Sequence, residues 1–308
     1  MKNYEINNLV SHKIYQDENF EKTKLKIIQR IKDKKLDTTT EQEFISLLEK
    51  MYSTEMGRFM IEHSGFNAYW NDYVCSYPDL KQQGFKLTEN EFEKYLLENL
   101  PFYQATQSRF QIFKTEIKKR LRNNISIASL PCGLMTDILL QDFKGINNFQ
   151  LHGIDLDQTA LDQAKAIALS KGLIHHCAFT REDGWKIEYK NQFDLVTSNG
   201  FNIYVDDEDK NIAFYKKIYQ ALTDKGELIT STIVPPPTED PYSSWDLKKI
   251  NLDALKIQAI VMNYFTEFNK NNFKSAEKLC IILKKAGFKE FQVIPDNLGI
   301  FPTIIAKK

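Results

Sequence analysis

The stretch from Ile125 to Asp157 restricts the fold more than any other part of the chain. Residues 125–130 form a short apolar run rich in β-branched side chains, which stops at a Pro131-Cys132-Gly133 turn and passes into a helix-like segment, Leu134 to Phe143. A run of that length, closed by a proline and a glycine, reads as strand, tight loop, helix. A second apolar run, Gln150 to Ile154, ends in the carboxylate of Asp155. That carboxylate lies about 20 residues beyond the glycine turn, the separation at which an open parallel sheet holds the acid that binds a ribose diol. The two runs together read as a nucleoside pocket.

The alternation continues after Asp155. Gln158 to Lys171 sets Leu161, Ala164, Ala168 and Leu169 at helical spacing, and Gly172 is a fitting stop. A short strand near His176 to Phe179 leads into Arg181-Glu182-Asp183-Gly184-Trp185. His175 and His176 are adjacent, so extended backbone points them to opposite faces, and they read as surface and packing residues rather than a metal pair. Phe193-Asp194-Leu195-Val196 begins a fourth strand that breaks after Ser198, and Phe214, Ile218 and Leu222 then give a helix its apolar face. Leu228 to Val234 is a central strand by composition, ended by Pro235 to Pro237. The loop from Thr238 to Trp245 is either an acceptor-specificity loop or a surface crossing. Helical patterns fill Leu247 to Phe268 and Ser275 to Ala286. Two last strands, Glu290 to Ile294 and Thr303 to Lys307, are joined by a link long enough for an antiparallel hairpin and too short for a parallel crossover.

In its first turn, its fourth strand and its closing hairpin the chain resembles the class I S-adenosylmethionine-dependent methyltransferases over roughly residues 110–308. That family carries acid-x-Gly-x-Gly-x-Gly at the first turn, and this chain has Ser129, Pro131, Gly133 and Met135 at the four marked positions. Ser129 thus offers a hydroxyl where a carboxylate is common, Pro131 has no N–H, and Met135 is bulky. The resemblance implies a Rossmann-like α/β fold with a seven-stranded sheet, one reversed strand in a C-terminal antiparallel hairpin, and S-adenosyl-L-methionine as cofactor. It assigns to the cofactor Ser129, Pro131, Cys132, Gly133, Asp155, Leu156, Asp183, Gly184, Asn199, Gly200 and Phe201, with Asp183 matching the acid that meets the adenine amine. Tyr204, just past the fourth strand, approaches the acceptor or packs at a helix entry. Cys132 reads as a small packing residue of the turn rather than a nucleophile.

The first 108 residues read as a helical cap on the substrate side of a methyltransferase domain over 109–308. Phe44, Leu47, Leu48 and Met51 make one helical face, with caps at Thr38 to Thr40. Thr88 and Glu91 have capping-box spacing, Pro101 closes that helix, and Phe110, Phe113 and Ile117 line the next. Gly57 to Met60 and Gly65 to Tyr73 follow no clean period. Tyr69, Trp70 and Tyr73 either plug the cap or roof the cofactor and acceptor, and Tyr73 joins Tyr204 as a candidate catalytic residue. His63 stands in the same cap as an imidazole that could serve as a base.

A formal net charge of +0 supplies no global field for nucleic acid, and no apolar run approaches the roughly 20 residues of a membrane span. Met1 to Asn8 lacks the apolar segment of a secretion signal, and Cys75, Cys132, Cys177 and Cys280 show no paired metal spacing. The expectation is a cytoplasmic protein with reduced thiols and no metal, acting on a small-molecule or protein acceptor; the sequence fixes neither the acceptor nor the oligomeric state. A dinucleotide pyrophosphate requires Gly-x-Gly-x-x-Gly so that backbone N–H groups can approach it. One glycine stands here, which favours methyl transfer over an NAD(P)-dependent oxidoreductase; a non-catalytic nucleoside-binding interaction module is the other alternative.

Overall fold

The computed structural model describes residues 20–266 and 272–308; the polar opening Met1 to Asn8 and the last positions of the helical pattern expected to reach Phe268 lie outside them. The helices are α1 (Phe20–Asp33), α2 (Thr38–Tyr52), α3 (Glu55–His63), α4 (Ala68–Gln82), α5 (Glu91–Asn99), α6 (Pro101–Arg120), α7 (Thr136–Leu139), α8 (Gln158–Ser170), α9 (Glu208–Ala221), α10 (Leu252–Ile260) and α11 (Ala276–Ala286). The strands are β1 (Ser126–Ser129), β2 (Gln150–Asp155), β3 (Cys177–Arg181), β4 (Phe193–Ser198), β5 (Leu222–Ser231), β6 (Glu290–Ile294) and β7 (Thr303–Lys307). The described residues within Met1–Gln104 and Lys248–Lys270 make one compact unit, and those within Ala105–Leu247 and Asn271–Lys308 make another. The helical unit therefore takes a second stretch of chain from beyond the expected boundary at 108.

The helical unit is assembled from capped amphipathic segments. Asp37, and not Thr38 to Thr40, caps α2 by accepting from the Thr40 N–H at 3.0 Å, and Asn90 caps α5. Leu47, Leu48 and Met51 of α2, Met56 and Ile61 of α3, and Leu96 and Leu97 of α5 form its core together with Ala254, Val261 and Phe265. The aromatic segment is more regular than its pattern: Asn67 accepts from the Trp70 N–H at 3.0 Å and opens α4. Its period is obscured because aromatic rings occupy both the half-buried and the exposed side, Tyr69 being 47% exposed. Pro101 opens α6 rather than merely closing α5, a first-turn position where a missing N–H costs nothing.

The second unit is a seven-stranded sheet in the order β3-β2-β1-β4-β5-β7-β6. Strands β1 to β5 pair in parallel, whereas β7 runs antiparallel to both β5 and β6. The expected Rossmann-like α/β class with a reversed strand in a closing hairpin is thus the observed one. Alternation along each strand divides the core between two faces. Ala128, Val196, Leu228 and Ile304 pack under α9 and α11, while Ile127, Leu195, Ile229 and Ile305 pack under α6, α7 and α8. The helix expected over Leu134 to Phe143 shrinks to the single turn of α7, because Leu134 and Met135 turn into the core before it begins.

The loop from Thr238 to Trp245 lies against the hairpin connection: the Ser244 hydroxyl donates to the Gly299 carbonyl at 2.7 Å and the Asp246 N–H to that of Leu298 at 2.9 Å. Gly299 has φ +72°, and a Cβ there would stand 2.0 Å from the Ser244 carbonyl oxygen. Gly299→Ala is therefore expected to cost about 3 kcal/mol in urea unfolding, since both the left-handed backbone and the rigid neighbour oppose it.

Candidate functional site

The sheet order reverses between β1 and β4, and in an open parallel sheet the crevice at such a switch point, outside the carboxyl ends of the strands, is where ligands bind. Ser129 is in register with Gly153 on one side and Thr197 on the other, and Asp155 with Arg181. The ends of β3, β2, β1 and β4 thereby bring Asp183, Asp155, the 129–133 turn and the 199–204 turn to one edge.

The first turn is held by its own backbone. The Leu130 N–H donates to the Thr197 carbonyl at 2.9 Å and the Cys132 N–H to that of Ile154 at 3.0 Å, so the chain is tied to β4 and β2 as it leaves β1. Gly133 has φ +50°, and its N–H donates to Asp155 Oδ2 at 2.8 Å. Asp155 Oδ1 accepts from the Asp157 N–H at 3.0 Å. Asp155 is 8% exposed, and burial pushes its carboxyl above the ordinary value against the pull of these two N–H donors. Each oxygen retains a lone pair, so the carboxylate can still accept from two hydroxyls.

The other predicted residues fall as follows. The Ser129 hydroxyl is buried between strands and accepts from Thr197 Oγ1 at 3.0 Å. Met135 is 2% exposed and packs in the core with Phe113, Ile138 and Leu161, so the bulky residue at the family's last glycine position points into the protein layer. Cys132 is buried in the same cluster, and burial raises its thiol well above the ordinary value, which suits packing. Asp183 Oδ1 accepts from the Trp185 N–H at 3.0 Å, and Oδ2 lies 3.3 Å from Lys186 Nζ. Gly184 lacks a Cβ where one would come 2.8 Å from the Phe214 ring. Gly200 has φ +79° and starts the short 3-10 turn Phe201–Tyr204. Phe201 packs at a tilt against Phe214 with ring centres 4.3 Å apart, while Leu156 lends its carbonyl to Arg181 Nε at 3.1 Å.

In the helical unit, the Tyr73 hydroxyl donates to Glu93 Oε1 at 2.7 Å, and burial with that carboxylate raises the phenol far above its usual value. It is a poor base as it stands. Trp70 packs edge-on against Tyr69 at 4.9 Å and Tyr73 at 5.2 Å, and His63 stacks on Phe59 at 4.1 Å.

Two polar residues of this unit, Ser198 and Arg109, escaped sequence reasoning as site residues, whereas Asn199 was among those expected. Among the described residues, Ser198 Oγ and Asn199 Oδ1 are buried and meet no hydrogen-bond partner. One of these atoms lies at the end of β4 and the other just beyond it, where a ligand's polar groups could satisfy them. Arg109 is 8% exposed, with its Nη1 3.4 Å from Ser231 Oγ and its guanidinium 4.7 Å from the Phe301 ring centre. The only signal for it was an arginine set beside Phe110, well before the basic end of the same helix.

Known proteins resemble this chain as follows. Residues 131–226 match the family model of a methyltransferase domain. A possible exported protein from Bordetella parapertussis is 31% identical, with 94% of this chain and 95% of that one covered at a TM-score of 0.86. The S-adenosylmethionine-dependent methyltransferase SibL in its apo form is 13% identical, with 67% of this chain and 56% of that one covered at a TM-score of 0.50. A SAM-dependent methyltransferase from Aquifex aeolicus is also 13% identical, covering 65% and 92% at 0.47. No curated protein sequence matches. No helix among the described residues is long and apolar enough to cross a membrane.

Proposed function

Because the chain belongs to the class I S-adenosylmethionine-dependent methyltransferase family, with S-adenosylmethionine as its cofactor, we propose that it transfers the methyl group to a small molecule, a lipid-like acid or a protein side chain. The observation that carries the reading is Asp155, a buried carboxylate at the switch point with acceptor capacity left on both oxygens. In this reading Asp155 takes the ribose hydroxyls, and the backbone of Leu156 with Asp183 and Gly184 borders the adenine. Ser129, Pro131, Cys132 and Gly133 shape the turn beneath the amino-acid tail. Ser198, Asn199, Gly200 and Phe201 border the sulfur end, and Tyr204 faces the acceptor.

When bound, the cofactor supplies a methyl group already activated on a sulfonium. The protein's share is alignment of an acceptor lone pair and exclusion of water, and a base is needed only for an acceptor that must lose a proton. The reading sets this chemistry in the cytoplasm, supported by the free thiols of Cys75, Cys132, Cys177 and Cys280. Recovery of the protein from the extracellular fraction would overturn that placement.

Calorimetric titration with S-adenosylmethionine and S-adenosylhomocysteine tests the core of the proposal. Both are expected to bind at a 1:1 ratio, and absence of heat with both removes the assignment. Transfer of labelled methyl from the cofactor to a component of a cell extract is the second expected result. Binding without any transfer would support the nucleoside-binding module instead.

A further inference from the structure

The buried lysine that holds the turn after β4 has no place in the reading so far. Lys274 is 7% exposed, and its ammonium donates to three carbonyls, those of Asn202 at 3.1 Å, Val205 at 2.9 Å and Asn272 at 3.0 Å. Three N–H donors thus meet three acceptors. The backbone of the same residue is fixed to the run beyond β5: its N–H donates to the Ile233 carbonyl at 2.8 Å, and its carbonyl accepts from Thr232 Oγ1 at 3.1 Å. Asn202 and Val205 belong to the Phe201–Tyr204 turn and its exit, so the lysine ties that turn to an extension of the neighbouring strand. A second tie comes from the fully buried Asn202, whose Nδ2 donates to the Tyr215 hydroxyl at 2.9 Å and the Ser231 carbonyl at 2.6 Å.

We propose that Lys274 is a positioning residue: its ammonium sets the turn that carries Asn199, Gly200, Phe201 and Tyr204. The inference rests on the assignment of this turn to the cofactor site. A neutral side chain could not supply three directed donors from one atom, which is the reason to bury a charge here despite its desolvation cost. That cost is visible in the amine: burial lowers its pKa to about 8, opposed by Asp206 and by Glu208 of α9 and reinforced by Lys278 of α11. The sign follows from linkage. A lysine whose folded value lies below its free value is held at a cost while protonated, so the fold gains stability as pH rises from about 8 toward the free value of 10.5 and loses it as pH falls back through about 8.

The test uses the full chain and the variants Lys274→Met and Lys274→Arg. Lys274→Met leaves three carbonyls without their donor, and calorimetry at pH 7.5 is expected to show S-adenosylhomocysteine binding at least about tenfold weaker while the protein still unfolds cooperatively. Lys274→Arg keeps donors and charge and is expected to recover part of that affinity. Urea unfolding supplies a readout without cofactor: between about pH 7 and 9.5 the folded-to-unfolded ratio of the wild type should rise on the order of tenfold relative to Lys274→Met. Equal affinity in wild type and Lys274→Met overturns the positioning role, and a flat wild-type-to-variant ratio across pH overturns the burial of a protonated amine at this turn. Where Lys274→Met does not fold, the same comparisons are made with Lys274→Arg, whose always-charged group predicts partial affinity and no such rise. If the wild type binds no S-adenosylhomocysteine, the cofactor assignment fails, while the unfolding arm still judges the buried amine by itself.

Discussion

Asp155→Ala is expected to weaken S-adenosylhomocysteine binding by at least about a hundredfold, roughly 2.7 kcal/mol, in a calorimetric titration. The size follows from the loss of two charge-assisted hydrogen bonds to a diol in a buried site, each worth about 1.5–3 kcal/mol. The variant also leaves the N–H groups of Gly133 and Asp157 without their acceptor, so Asp155→Asn, which keeps one acceptor oxygen and the volume, separates turn geometry from sugar binding. The pH dependence has a definite direction. Burial raises the carboxyl of the free protein, and hydroxyl donors favour its ionised form, so ligand binding expels a proton. Affinity in the wild type should therefore fall on acidification, beginning above the range where an ordinary aspartate titrates, while Asp155→Asn should be flat there. Unchanged affinity in Asp155→Ala would remove the residue on which the cofactor geometry rests.

Phe214→Ala is expected to cost about 4 kcal/mol in urea unfolding, the range for a fully buried phenylalanine whose cavity cannot close. Its ring has 0% exposure, lies tilted against Phe201 at 4.3 Å, meets Trp185 edge-on at 6.1 Å, and presses where a Cβ on Gly184 would come 2.8 Å away. One side chain on α9 thus backs both Gly184, beyond β3, and Phe201, beyond β4. Phe214→Leu, which fills much of the volume, should recover more than half of the lost stability. A cost below about 1 kcal/mol for the alanine variant would mean that this layer of the core repacks freely.

The sheet was legible where its neighbours demanded little beyond alternation. Glu290–Ile294 and Thr303–Lys307 appear at the expected residues because their pattern and their short link admit a hairpin and nothing else. The place of Asp155 at the buried end of β2, beside the Gly133 turn, was legible because an apolar run ending in an acid marks a strand end. Met135 was not, since nothing local tells a side chain that blocks a crevice from one that turns into the core under α6 and α8. Lys274 sits in the polar run Asn271-Asn272-Phe273-Lys274-Ser275, which reads as a solvated loop; its burial depends on carbonyls about 70 positions away. The α10 region failed for a similar reason. Its helical pattern was plain, but the partners of Gln258, which accepts from the Phe102 N–H at 2.7 Å, and of Tyr264, whose carbonyl accepts from Arg30 Nη1 at 3.1 Å, stand far back in the chain.

That return of α10 to helices made at the other end of the sequence bears on how the molecule can be cut. A fragment begun near residue 105 would retain the whole sheet yet strip Ala254, Val261 and Phe265 of Ile27, Ile31, Leu48 and Leu96, the side chains clustered with them. Such a fragment would carry an oily stub ready to stick to its own kind. Trimming the chain to its sheet unit would thus require deleting or redesigning residues 248–270 as well.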